Sequence, residues 1–495
     1  MFISNNIVSW ISWLLLTLLV AAGLGYMMLS DSSDKTLFMP GPLSDGHHQL
    51  ADKCDACHVS EFGGGEVLQQ ACVDCHGADR VKPHDSHPAK KFKDPRNAEL
   101  LENINALQCV SCHSEHRAEI TQKDGLTQPV DFCVHCHRDV AEERPSHEGM
   151  PFDTCKTSGC HNFHNNRALY TNYLIKHLDE PELLSTTILP EKEFASVLYE
   201  IAEYPHDRYP VQAITAESID AKAQLAAYVD KDANWPEQWL STSHARTGVN
   251  CSACHAGDTQ SGDAQSGDAH SDSGTDQTVW IGKPDHAACE TCHKVEVERF
   301  MGGKHGMRLK HDLAAMDTSM ARLPMKSMKE QAGTSHQSLT CNSCHDAHEY
   351  DIRQAAVESC LGCHDDEHSK QYKQSPHYLT WLAEIKGEAD PGTGVSCASC
   401  HMPRVNYDVS EWMSRTIVDH NQSANLSPNS KMMRTTCQHC HGLEFSIDAM
   451  TDPALIDNNF NGKPVSHVET MDLARKENVR RQQDSDDDDG SMFGF

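Results

Sequence analysis

The stretch Cys54-Asp55-Ala56-Cys57-His58 decides the reading of the chain. Two cysteines with two residues between them, followed at once by a histidine, form the attachment unit of a c-type haem. The thiols add to the haem vinyl groups, and the imidazole takes one axial face of the iron. The unit recurs at Cys72, Cys75 and His76, at Cys109, Cys112 and His113, and at Cys133, Cys136 and His137. Further on it appears at Cys251, Cys254 and His255, at Cys289, Cys292 and His293, and at Cys341, Cys344 and His345. Three more follow at Cys360, Cys363 and His364, at Cys397, Cys400 and His401, and at Cys437, Cys440 and His441. A stretched version puts four residues between Cys155 and Cys160, with His161 next. A single unit also fits half a zinc site or a redox dithiol. Eleven units that use all 22 cysteines leave little room for either, and predict eleven covalently attached haems c.

At 495 residues the chain is long enough for two or more domains. Its hydrophobic fraction of 38% and aromatic fraction of 6% are thin for that length, so the porphyrins are expected to supply much of the apolar core. Of 33 histidines, eleven are proximal ligands, which leaves 22 for the opposite axial faces. The net charge of −30 argues against a nucleic-acid partner, which needs a basic surface, and favours cationic partners.

Residues Ile7 to Leu29 form an apolar run of 23, long enough to cross a bilayer as a helix, with Trp10, Trp13 and Tyr26 near its ends. A cleaved signal peptide is the rival, but it carries a basic start and a shorter apolar core, and the first basic residue here is Lys35. The layout predicted is an anchor over 1–29, a polar tether over 30–53, and a five-haem domain over 54–164. A helical spacer over 165–234, a six-haem domain over 235–456 and a polar acidic tail over 457–495 follow. The fold class is mainly α, with much haem-wrapped coil, one transmembrane helix and two multihaem domains. The Ser-, Gly- and Asp-rich stretch Gly257 to Thr278 has almost nothing to bury and reads as a loop.

A second histidine on the iron makes it low-spin and closed to substrate. In the first haem domain the expected second ligands are His84 or His87, His116, His147, His164 and His177, with His47 or His48. His116 and His164 lie three residues beyond His113 and His161, too close to serve the same iron, so each should reach a neighbouring haem. In the second domain His244, His305 and His377 each follow an aromatic residue by five positions, with small residues between. Such a neck is expected to let a haem face approach the backbone. His336, His348 and His420 complete six candidates for six haems, and His286, His311, His368 and His467 are surplus.

These residues resemble known families. The chain as a whole resembles multihaem c-type cytochromes. Gly394 to Arg404, Ser375 to Tyr378, and the run from His420 through Asn425, Met433 and Cys437 to Phe445 look like the octahaem hydroxylamine oxidoreductases and related nitrite, hydroxylamine and tetrathionate reductases. The first haem domain resembles class III, cytochrome c3-type modules. The resemblance implies haem attachment outside the cytoplasmic membrane, and so an anchored protein whose bulk is periplasmic. Oxidative members of the octahaem family cross-link a haem to a tyrosine near the C-terminus. Here no tyrosine follows Tyr407, and no catalytic residue carries over.

Two functions fit. The first is a conduit in anaerobic or alternative respiration, passing electrons along mostly bis-histidine haems. It would run from a quinol-oxidising donor or small cytochrome to a terminal reductase or outward acceptor; a homo-oligomer continuing the wire between subunits is a minor variant. The alternative is a reductase of a small nitrogen or sulfur oxyanion at one open haem of the second domain, with Lys304 or Arg404 delivering protons.

Overall fold

The computed structural model describes residues 5–30, 35–59, 65–81, 108–121, 133, 137–143 and 171–190, and most of the chain from 238 to 491 with short breaks. The described residues are mainly helical, with two small antiparallel hairpins. They fall into two compact units, one from residues 1–176 with 470–495, the other from 177–469. The expected spacer over 165–234 lies mostly outside the described residues, as does the loop over 258–278.

In the first unit, Asn5–Leu29 is one continuous helix. Its segment Val8–Met27 is apolar enough to cross a membrane and is wholly exposed, a test that a signal sequence also passes. After the tether, short 3-10 turns at His48–Leu50, Cys54–Ala56 and Cys109–Ser111 alternate with one long helix, Gly65–Val81. The end of the chain departs from the tail expected over 457–495. Thr470–Ser491 is a helix that packs on Thr171–Lys176, with Met471 and Ala474 buried at its start and Arg481 donating to Asn172 at 2.7 Å. Pairs such as Arg481 with Glu477 brace a sequence that composition alone marks as solvated.

The second unit is a string of short helices around a small apolar centre that includes Val357, Ile417, Met433, Leu443 and Ile447. The hairpin Arg404–Ser410 with Met413–Val418 is its largest sheet and delivers the chain to His420. A buried ion pair fixes that delivery. Arg299 donates from Nε to Asp419 Oδ1 at 2.8 Å and from Nη2 to Oδ2 at 2.7 Å, a two-bonded fork. Asp419 in turn holds its neighbours, its main-chain N–H donating to Pro403 O and its Oδ1 accepting from Asn421 N.

Candidate haem-ligating sites

Each described attachment unit makes about one helical turn. The histidine N–H donates to the carbonyl of the first cysteine, at 2.8 Å for His58, His113 and His441 and at 2.9 Å for His345 and His364. One turn places both thiols on one face with the imidazole beside them, which is why the spacing is contiguous. Ser396 and Ser399 form a reciprocal cap that starts the turn at Cys397. At His293 the backbone leaves helical geometry, φ −108 and ψ 40, inside the helix His286–Met301.

A metal–imidazole bond is about 2 Å, so two histidines on opposite faces of one iron keep their ring centroids about 6 Å apart. Among the described residues, eight histidine pairs stand at that separation, one member of each an attachment-unit histidine. In the first unit His47 faces His76 at 5.8 Å and His116 faces His58 at 6.4 Å. In the second, His244 faces His293 at 6.1 Å, His348 faces His255 at 6.0 Å, and His305 faces His364 at 6.2 Å. His420 faces His345 at 6.2 Å, His368 faces His401 at 6.0 Å, and His377 faces His441 at 6.2 Å. The gaps suit an iron with two axial imidazoles.

Between them these pairs take in all six attachment-unit histidines of the second unit. One partner differs from the sequence expectation. His336, expected as a second ligand, lies outside the described residues. Opposite His401 stands His368, counted above as surplus. The signal for it was present. His368 follows His364 by four residues, as His116 follows His113 and His348 follows His345 by three, and each faces an iron site other than its neighbour's. Of the alternatives at the tether, His47 faces the attachment histidine His76, and His48 donates to Asp45 O. His177 donates from Nδ1 to Glu180 Oε1 at 2.6 Å. His84, His87, His147, His161, His164, Cys136, Cys155 and Cys160 lie outside the described residues.

Ring orientation follows from the second nitrogen. Nδ1 of His116 donates to Gly41 O at 2.9 Å, of His255 to Ile281 O at 2.7 Å, of His420 to Val418 O at 3.0 Å, and of His441 to Glu182 O at 2.9 Å. Each leaves Nε2 for a metal. His116 needs a left-handed backbone, φ 59, to reach its place, a conformation uncommon outside glycine. Burial, then the neighbouring imidazoles, lowers the pKa of His305, His377 and His401 to about 4, which keeps these rings neutral and able to ligate. Burial likewise pushes the thiols of Cys344, Cys400 and Cys437 up to about 12.

Other features were not legible from motifs. The segment 180–190 lines the last site. Leu184 N donates to Cys440 O, Gly442 N to Pro181 O, and Leu443 N to Glu180 Oε2 at 3.0 Å. A Cβ on Gly442 would meet Pro181 O at 2.5 Å, so glycine permits the approach. The glycine neck before His305 also admits a neighbouring segment of chain. A Cβ on Gly303 would meet Gln422 Oε1 at 2.8 Å, so what approaches there is the segment after His420. Arg404, suggested above as a proton donor, donates instead to Pro190 O. Lys304 is exposed.

Successive attachment units also touch. The Cys72 thiol lies within hydrogen-bonding reach of Cys109, Cys289 of Cys341, and Cys360 of Cys397. Between those steps, Cys57 is raised by burial and by charges that include Cys75. Cys254 responds likewise to Cys289 and Cys292, Cys344 to Cys360 and Cys363, and Cys400 to Cys437 and Cys440. Within each unit the described sites therefore follow one another in chain order, in contact at the first cysteines of alternate steps and near enough to influence one another at the rest.

No curated protein and no solved structure matches the chain. Residues 46–138 match the family model of cytochrome c3. That stretch contains the first four attachment units, and the match supports a multihaem electron-transfer cytochrome with covalently bound haem.

Proposed function

We propose that the protein is a membrane-anchored, periplasmic electron conduit carrying eleven haems c, most of them ligated by two histidines, in anaerobic or alternative respiration. The observation that carries this reading is the set of eight histidine pairs about 6 Å apart, which includes every attachment site of the second unit. Bound haem iron supplies reversible one-electron chemistry. The chain would hold each group by two thioethers and a proximal imidazole, and at most sites a second imidazole would close the opposite face. Main-chain carbonyls at Gly41, Ile281, Val418 and Glu182 set the ring planes. The contacts between consecutive attachment units support a path that runs in chain order, from Cys54 towards His113 and from Cys251 towards His441. Helix Asn5–Leu29 supplies the anchor, and the acidic surface favours cationic redox partners.

The test is low-temperature EPR of the oxidised holoprotein, with and without nitrite. A conduit gives low-spin haems from the second unit and no response to nitrite. A high-spin signal that nitrite shifts favours an oxyanion reductase instead. Mass spectrometry of the mature N-terminus tests the anchor, and a start at or beyond Ser30 refutes it.

A further inference from the structure

Where the second nitrogen of a ligating imidazole meets a carboxylate, the ring becomes a stronger donor to the metal than where it meets a carbonyl. His116, His255, His368, His420 and His441 all turn Nδ1 to main-chain carbonyls. His47 does not. Its Nδ1 donates to Glu115 Oε1 at 2.8 Å. At His364 the carboxylate of Asp366 stands farther off, at 3.7 Å, an ion-pair distance.

Glu115 is built into place. Its Oε2 accepts from the main-chain N of Ser44 at 3.0 Å, and its Oε1 from the Ser44 hydroxyl at 2.9 Å, with Ser44 itself buried. The carboxylate is only 30% exposed, so its charge is poorly screened by water. The run Cys109–His116 thus touches three sites. It attaches one haem, sends His116 to face His58, and sends Glu115 to the ring that faces His76.

We propose that Glu115 is a positioning residue that, through His47, lowers the reduction potential of the haem attached at Cys72 and Cys75. A negative charge on the ligand's far nitrogen raises the ligand's basicity and stabilises the ferric state over the ferrous. The inference rests on the reading that His47 and His76 ligate one iron.

The experiment compares holoprotein carrying Glu115→Gln, Glu115→Asp or His47→Ala with the parent, by EPR-monitored redox titration and haem quantitation. Glu115→Gln keeps an acceptor and removes the charge, so a single one-haem component should move to higher potential and remain low-spin. Glu115→Asp, which keeps the charge, should titrate close to the parent. His47→Ala should convert that same component to high-spin, which assigns it. An unchanged Glu115→Gln titration, an equal shift of every haem, or an equal shift in Glu115→Asp overturns the inference. So does a high-spin signal in Glu115→Gln, because the carboxylate would then only hold His47 in place. If His47→Ala itself changes no signal, the underlying ligation at His76 is wrong, a failure separate from that of Glu115.

Discussion

The two units bring their facing histidines together in different ways. In the first, His47 and His116 come from irregular backbone and are tied by polar contacts to the tether, at Ser44 and Gly41, and to the loop carrying Glu115. In the second, facing histidines are delivered by a hairpin, short helices and a buried ion pair, and three rings are held at a pKa near 4. Irregular polar backbone leaves a ligand's surroundings adjustable by one side chain. A packed scaffold fixes the ligand but spreads its support over many residues. The contrast suits a first unit whose sites are individually tuned and a second whose sites act as a uniform row.

That contrast is open to direct test. The largest effect is expected at His368→Ala, which removes the ring opposite His401. One haem of the second unit should become high-spin, and an all-low-spin EPR spectrum would show that His368 is not that ligand. Next is Asp419→Ala, which strands a buried guanidinium. Loss of one partner of such a pair costs roughly 3–5 kcal/mol, read as a lowered thermal midpoint of the second unit. A change under about 1 kcal/mol would mean that the scaffold does not depend on it. The smallest is Gly41→Ala, because a methyl there collides with the His116 carbonyl. Overpacking of this kind costs about 1–3 kcal/mol, and here it should appear first as heterogeneity in the low-spin signal of the haem at His58. If Gly41→Ala destabilises more than Asp419→Ala, the assignment of a rigid unit and an adjustable one is reversed.

The attachment sites were plain in the sequence because thioether formation needs its three residues on one turn. Second ligands were partly plain. A histidine three or four residues past a proximal one points away from its own iron, a geometric rule that fits His116, His348 and His368 alike. Their destinations were not, since His420 reaches His345 across 75 residues of chain and His377 reaches His441 across 64, matters of tertiary packing. The carbonyls of Gly41, Ile281 and Glu182 that aim the rings leave no mark at all, because any residue supplies a carbonyl. The helix Thr470–Ser491 was hidden by an acidic composition whose arginine–glutamate pairs become visible only at helical spacing.

The interleaving of ligands has a consequence for how such a chain is completed. His255 faces His348, His293 faces the earlier His244, His345 faces His420, and His441 faces His377. A chain exported from its N-terminus presents Cys251 and Cys341 for haem attachment well before residues 348 and 420 emerge. On the proposed reading, those sites would stay open on one face until later segments supply the second imidazole. A truncation before 420 would therefore leave the site at Cys341 without its facing imidazole, nearly 80 residues upstream of the break.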